Sequence, residues 1–215
     1  SDDDFSCVLA AHDGSIWCGS NRFGLNRLKG NDIQLLRRQA NVINTLASDN
    51  IMALAEDQNG NIWIGTNGGG LQCLNVGRGT FANFNVKNNR LPSDIVTSLC
   101  VKSNRLIAGT ANGLAVVNLS SNKTEIFQGT RSGNKQFSNP FITQVLMDSR
   151  NLIWIGTRDG LNLLDTKNDI VQTFGLAEGI PNNMICGLAE DQNKHIWVTT
   201  AGGVCRIVPQ SVQTG

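Results

Sequence analysis

The stretch Asp57-Gln58-Asn59-Gly60-Asn61-Ile62-Trp63-Ile64-Gly65-Thr66 decides the fold of this chain, because near copies of it recur from one end to the other. It joins a turn rich in Asp, Asn and Gly to a short apolar segment centred on Trp63. The other copies are centred on Trp17, Ile107, Trp154 and Trp197. These five anchor positions are 46, 44, 47 and 43 residues apart. A period of this length is typical of β-propeller blades or of another repeated array.

One repeat, residues 50–93, predicts four short strands. Its segments 51–55, 61–66, 71–74 and 80–86 are apolar or alternate with period two, and turns rich in Gly, Asn and Asp separate them. We therefore predict an all-β fold, a β-propeller of about five four-stranded antiparallel blades. The predicted blades span residues 5–49, 50–93, 94–139, 140–182 and 183–215, the last of them incomplete.

The bulk composition argues against two classes of partner. The chain has 215 residues, 40% of them hydrophobic, and its net charge of +1 gives no field that would attract nucleic acid. No apolar run reaches the roughly 18 residues that cross a bilayer, so we predict no direct membrane insertion by this segment. The six cysteines lack the close spacing of a zinc site. We predict that they are small buried residues, and we predict no metal and no cofactor.

The five anchor residues are interpreted as packing residues, because they recur with the repeat and large aromatic side chains dominate core energetics. We expect each indole to lie wedged between adjoining sheets. The turn before Trp63 resembles a calcium loop, but Gly68 stands where such a loop needs a glutamate. We interpret this turn as an Asx-type hairpin turn.

The pattern Asp-x-x-Gly-x-Ile-Trp-Ile-Gly-Thr of residues 57–66, followed by Gly69-Gly70-Leu71, resembles the repeat of the two-component regulator propeller family. In that family, such repeats form the extracytoplasmic sensor region of bacterial hybrid two-component proteins. The resemblance implies a non-catalytic, periplasmic sensor that recognises a polysaccharide breakdown product and signals to a histidine kinase. Two copies depart from the pattern, with Ile107 in place of Trp and Thr199 in place of Gly.

The resemblance also implies a ring of seven blades, so that about two blades would lie outside these residues. A self-closed ring of five blades is the alternative. An open arc would expose apolar faces large enough to drive association. The expected partners are therefore an oligosaccharide or other small ligand, together with a second copy in a homodimer or further blades of the same protein.

Candidate ligand contacts follow from the way loops sort in an up-and-down blade. Turns between first and second strands lie at one end, here called the first face. Turns between second and third strands and the links between blades lie at the other end, the second face. Guanidinium and amide groups on the second face could hold the hydroxyls or carboxylates of an oligosaccharide. The candidates are Asn21, Arg22, Asn67, Arg90, Arg158 and Asp159.

Two other classes of function stay open. A glycoside hydrolase needs two carboxylates about 5 to 10 Å apart, for which Asp159 and Glu178 are the second-face candidates. A propeller lyase with a histidine base is disfavoured, because His12 and His195 both fall in first-face turns that we interpret as structural. A scaffold that binds protein through its rims is the third possibility.

Overall fold

The computed structural model describes residues 4–128, 136–166 and 170–208. Over this part of the chain the fold is all-β, as predicted, with nineteen strands in five antiparallel sheets. A single 3-10 turn at Leu176–Glu178 is the one helical element among the described residues. No helix in these ranges is long and apolar enough to cross a membrane. The chain divides into two compact units between residues 126 and 127.

Unit 1 contains three four-stranded sheets, each ordered as a meander. The first sheet comprises β1 (Phe5–Ala10), β2 (Ile16–Ser20), β3 (Leu25–Lys29) and β4 (Asp32–Leu36). The second comprises β5 (Ile51–Glu56), β6 (Ile62–Thr66), β7 (Leu71–Asn75) and β8 (Thr80–Phe84). The third comprises β9 (Val96–Lys102), β10 (Arg105–Thr110), β11 (Gly113–Asn118) and β12 (Thr124–Phe127).

Unit 2 contains one four-stranded and one three-stranded sheet. The fourth sheet comprises β13 (Ile142–Met147), β14 (Ile153–Thr157), β15 (Gly160–Asp165) and β16 (Ile170–Phe174). The fifth comprises β17 (Ile185–Glu190), β18 (Ile196–Thr200) and β19 (Gly203–Ile207). The end of the predicted last blade, residues 209–215, and residues 129–135 of the predicted third blade lie outside the described residues.

Within each unit the indole of one sheet packs against the next sheet along the chain. Trp17 shares a buried cluster with Ile51, Ile62 and Ile64 of the second sheet. In the same way Trp63 packs with the third sheet, and Trp154 packs with Ile185, Ile196 and Val198 of the fifth. These three indoles are wedged between sheets as predicted, and the anchor of the third sheet, Ile107, is also fully buried.

The glycine two residues after each buried anchor allows this close packing. A Cβ at Gly65 would lie 2.8 Å from Cγ1 of Val96, and a Cβ at Gly156 would lie 2.6 Å from Cγ2 of Ile185. Real Cβ atoms do not approach carbon so closely, so any larger residue would push the sheets apart. The Gly in the repeated Ile-Trp-Ile-Gly-Thr pattern is therefore required by packing between sheets.

Trp197 corrects one expectation, because its side chain is 41% exposed instead of wedged. Its counterparts are each covered by the sheet that follows theirs. In the described part of the chain no sheet follows β19 to cover the Trp197 side of the fifth sheet. This same sheet carries Thr199, which is exposed, where the covered sheets have glycine.

Candidate functional site

Four of the five first-face turns are organised by an aspartate, and the turn of the third sheet at Ser103 and Asn104 is the exception. Asp57 accepts hydrogen bonds from the backbone N–H groups of Asn59 (2.9 Å) and Asn61 (3.0 Å), which confirms the predicted Asx-type turn. Its other oxygen accepts the indole N–H of Trp63 at 2.9 Å. A buried indole N–H needs such a partner. The turn carboxylate therefore joins the hairpin to the anchor of its own blade. The sequence spacing alone did not predict this bond.

The bond from an anchor indole to the aspartate six residues before it, here called the clasp, recurs in unit 2. Asp148 accepts the indole N–H of Trp154 at 3.1 Å, and Asp191 accepts that of Trp197 at 3.0 Å. The bond from Trp197, together with bonds from His195, lowers the pKa of Asp191. These carboxylates are engaged in holding turns, which leaves them poorly placed for chemistry on a substrate.

The first sheet departs from this arrangement. Asp13 forms ion pairs with Lys29 and Arg27, each at 2.8 Å, and the Lys29 ammonium is the largest cause of its lowered pKa. The guanidinium of Arg27 lies 5.3 Å from the centre of the Trp17 ring. In this sheet the turn carboxylate therefore orients a cation over the indole.

On the second face of unit 1, the predicted ligand contacts divide into engaged and exposed groups. Asn21 donates its amide to Asp4 at 2.8 Å. Arg90 lies over the Phe84 ring at 4.5 Å and donates to Thr124 and Asn122. These bonds give Arg90 a structural role between the second and third sheets. By contrast, the side chains of Arg22 and Asn67 are exposed.

On the second face of unit 2, the predicted acidic pair is occupied by local structure. Asp159 accepts the side-chain amide of Asn183 at 2.9 Å, and Glu178 accepts the backbone N–H of Gly175 at 2.7 Å. Both bonds fix the link between the fourth and fifth sheets. Arg158 is exposed, and its guanidinium carbon lies 3.6 Å from the centre of the Phe141 ring.

The first face of unit 1 holds a feature that sequence reasoning missed. A cavity of about 470 Å³ is lined by His12, Glu56, Gln58, Val101 and Ser103, together with two residues of the Asp57 turn. Glu56 ends β5, and its side chain is only 7% exposed. One of its oxygens accepts both the backbone N–H of His12, at 2.9 Å, and a bond from His12 Nδ1, at 2.8 Å. These residues are 44 positions apart, so no local motif could join them.

The sheets have the antiparallel, four-stranded meander and the face-to-face packing of β-propeller blades. This defines the class of protein to which the chain belongs. Residues 45–68, 136–159 and 179–202 match the model of the two component regulator propeller family. Three stretches of the chain thus carry this repeat, and the resemblance predicted from the sequence is confirmed.

Solved structures agree with this fold. The extracellular domain of the hybrid two component system BT3049 from B. thetaiotaomicron matches 98% of this chain and 28% of its own, at 18% identity and a TM-score of 0.81. The match with the extracellular domain of BT4673 from the same organism covers 98% of this chain and 30% of that domain, at 20% identity and a TM-score of 0.78. The chain therefore spans less than a third of these domains. Sequence comparison with curated proteins gave no match.

A catalytic propeller is also similar in fold. Virginiamycin B lyase from Staphylococcus aureus matches 97% of this chain and 71% of its own, at 12% identity and a TM-score of 0.71. At such identities the likeness concerns the fold alone.

Proposed function

We propose that this chain is a non-catalytic, ligand-sensing part of an extracytoplasmic propeller in a hybrid two-component protein. The observation that carries the proposal is the two-component regulator propeller repeat, which matches three separate stretches in both units. The proposed ligand is a small oligosaccharide released from a polysaccharide, and its binding would be relayed to a histidine kinase. A ligand can bias such a relay only by binding two states of the assembly with different affinity.

The engaged carboxylates support a non-catalytic role. Asp57, Asp148 and Asp191 hold indole N–H groups, while Asp159 and Glu178 hold the link beside them. A hydrolytic pair needs one carboxyl group free to protonate the leaving group and the other free to attack or to activate water. The second face instead presents Arg22, Asn67 and Arg158 as exposed donors, which we retain as proposed ligand contacts.

Calorimetric titration with oligosaccharides of plant, host and microbial origin tests this proposal. We expect saturable heat from at least one sugar and no release of new reducing ends or unsaturated products. Turnover of any sugar that disappears in Asp159→Asn or Glu178→Gln would establish the hydrolase instead. Absence of heat with every sugar would refute the sensor role for this segment.

One observation favours a lyase as a second candidate. The Glu56 carboxylate orients the His12 imidazole from its Nδ1 side, which leaves Nε2 as a potential general base. A histidine-to-alanine variant of virginiamycin B lyase from Staphylococcus aureus is catalytically inactive. Incubation of the chain with virginiamycin B, followed by mass spectrometry, discriminates this candidate, because a lyase cleaves its substrate without adding water.

The first sheet supports a proposal about protein partners as well. Ile16 and Ile62 occupy the same position in consecutive repeats, yet Ile62 is buried beneath the sheet of Trp17, whereas Ile16 is exposed. Val8, Ile33 and Leu35 share this exposure on the first sheet, and Ile33 is 69% exposed. We propose that this face accepts another sheet of the same repeat type, from further blades of the same protein or from a second copy.

Sedimentation of the isolated chain over a range of concentrations tests this partner. We expect association that is lost in Ile33→Glu, since a charge within the contact would be buried unpaired. The matched control is Val42→Glu, because Val42 is exposed on the link after the first sheet. A chain that stays monomeric at all concentrations would exclude the second copy as partner.

A further inference from the structure

We propose that the cavity beside His12 and Glu56 is a second ligand site, which takes a neutral polyhydroxylated ligand of one or two sugar rings. The inference rests on the proposed sensing function, but it places binding on the first face of unit 1, away from the contacts predicted for the second face. The cavity volume of about 470 Å³ falls within the roughly 300–1,000 Å³ typical of small-molecule sites.

The equivalent contact in unit 2 shows which part of the Glu56–His12 contact is structural. There Glu190, at the same repeat position, accepts the backbone N–H of Ser149 at 2.9 Å. Ser149 occupies the position of His12, so the bond that ties neighbouring blades needs only a backbone donor. The imidazole of His12 adds a second bond to Glu56 that the equivalent contact in unit 2 does without. It is 89% exposed and is held by its Nδ1, so that its other nitrogen faces solvent at the cavity.

The remaining polar groups of the cavity have unused hydrogen-bonding capacity. Both bonds to the Glu56 carboxylate end on one oxygen, Oε2, which leaves Oε1 to accept from a ligand. Gly60 places no side chain beside this oxygen, and an added Cβ there would lie 3.9 Å from it. Within the described residues, the exposed side chains of Gln58 and Ser103 form no hydrogen bond to protein. Each can both donate and accept.

This set of groups selects for hydroxyls. A hydroxyl donates one hydrogen bond and accepts others, which matches an amide, a serine hydroxyl, a carboxylate oxygen and an imidazole nitrogen placed around one space. The carboxylates of Glu56 and Asp57 disfavour an anionic ligand. Val101 supplies an apolar wall for the C–H face of a sugar ring.

The two histidines make the site directly observable. His12 and His195 are the only histidines of the chain, and each pairs its Nδ1 with a carboxylate. Imidazole resonances recorded by nuclear magnetic resonance during titration with xylose, glucose, N-acetylglucosamine, cellobiose and maltose therefore report on the cavity through His12, with His195 as internal control. We expect at least one sugar to shift the His12 signals saturably and to leave those of His195 unchanged.

Variants give the energetic test. We expect His12→Ser and Glu56→Gln to weaken binding of that sugar by roughly tenfold or more, as the loss of a hydrogen bond to a charged group does. His12→Ser keeps the backbone donor and copies Ser149, so its thermal unfolding should match that of the original chain. Glu190→Gln is the matched control and should leave the affinity unchanged.

Different failures identify different errors. If calorimetry detects a bound sugar while His12 does not respond, or if His12→Ser binds it as tightly as the original chain, this site is refuted and the sensing function stands. Weakening by Arg22→Ala or Arg158→Ala in that case would place the ligand on the second face. If none of these sugars gives heat or shifts His12, the site is refuted together with sugar sensing by this segment.

Discussion

The clasp between a turn aspartate and an indole is the contact whose removal gives the clearest test of the fold. Asp148 and Asp191 hold the same repeat position in unit 2, and each accepts an indole N–H from the tryptophan six residues later. They differ in burial. Asp148 is fully buried beside the equally buried Trp154, whereas the Asp191 clasp lies at the surface beside the part-exposed Trp197. Replacement of each by Ala therefore removes the same indole bond in two environments, together with an ion pair to Arg150 in the first case and to His195 in the second.

In Asp148→Ala, two buried donors lose their acceptor, the indole N–H of Trp154 and the backbone N–H of Leu152. A buried donor without a partner costs about 1–3 kcal/mol, so we expect a loss of about 4 kcal/mol in the free energy of unfolding. With a urea dependence of about 2 kcal/mol per molar, the midpoint of unfolding falls by roughly 2 M. In Asp191→Ala, water replaces the lost acceptor and the midpoint moves far less.

The assay is urea unfolding followed by tryptophan fluorescence, with Asp148→Asn as an intermediate variant that keeps one carbonyl acceptor. The order of midpoints should be Asp191→Ala above Asp148→Asn above Asp148→Ala. Equal losses for the two alanine variants would refute the reasoning, because they would show that burial of the clasp does not determine its contribution.

The prediction that the cysteines are buried is wrong, because five of them are part-buried and Cys186 is exposed. Desolvation raises the pKa of Cys73 to about 12, so iodoacetamide at mildly alkaline pH should label Cys186 first and Cys73 only on unfolding, as peptide mass mapping would show. Arg90→Ala should lower the free energy of unfolding by about 1–2 kcal/mol, through loss of ring stacking and two polar contacts, with sugar affinity unchanged by calorimetry; weaker binding would restore Arg90 as a ligand contact. Gly187→Ala should destabilise the chain in thermal unfolding, since its Cβ would lie 2.7 Å from Thr199 Oγ1, and the double variant with Thr199→Gly should recover stability.

The architecture could be predicted from the sequence because it is written in local patterns that repeat. Period-two alternation around Trp63 and the Asp- and Gly-rich turn before it require no knowledge of distant contacts. The same repetition predicted the burial of Trp17 and Trp154. What local pattern could not supply was the hydrogen bond from each indole to its turn aspartate, because a spacing of six residues has a meaning only after the hairpin has been built.

The cavity could not be predicted for a different reason. Its central contact joins the His12 turn of one blade to the last residue of β5 in the next, Glu56. The recurring glutamates Glu56 and Glu190 have an architectural role, since both hold the preceding turn. The site arises because a single non-recurring residue, the histidine, stands against a recurring one. A comparison of repeats identifies residues that recur, so it overlooks a residue such as this histidine that occurs in one repeat only.

The glycine two residues after each buried anchor matters for the space that it leaves to the next sheet. Gly65 and Gly156 leave space for a side chain of the next sheet, and Ile107 is fully buried in a repeat that lacks Trp but keeps Gly109. In the fifth repeat Trp is kept and the glycine is replaced by Thr199, and there the indole is exposed. In this repeat a glycine stands instead on the neighbouring strand, at Gly187, which pairs with Thr199. A Cβ at Gly187 would clash with the threonine hydroxyl. At Gly65 and Gly156 the small residue therefore sets how closely the next sheet can approach, because a side chain of that sheet cannot share the position of an added Cβ.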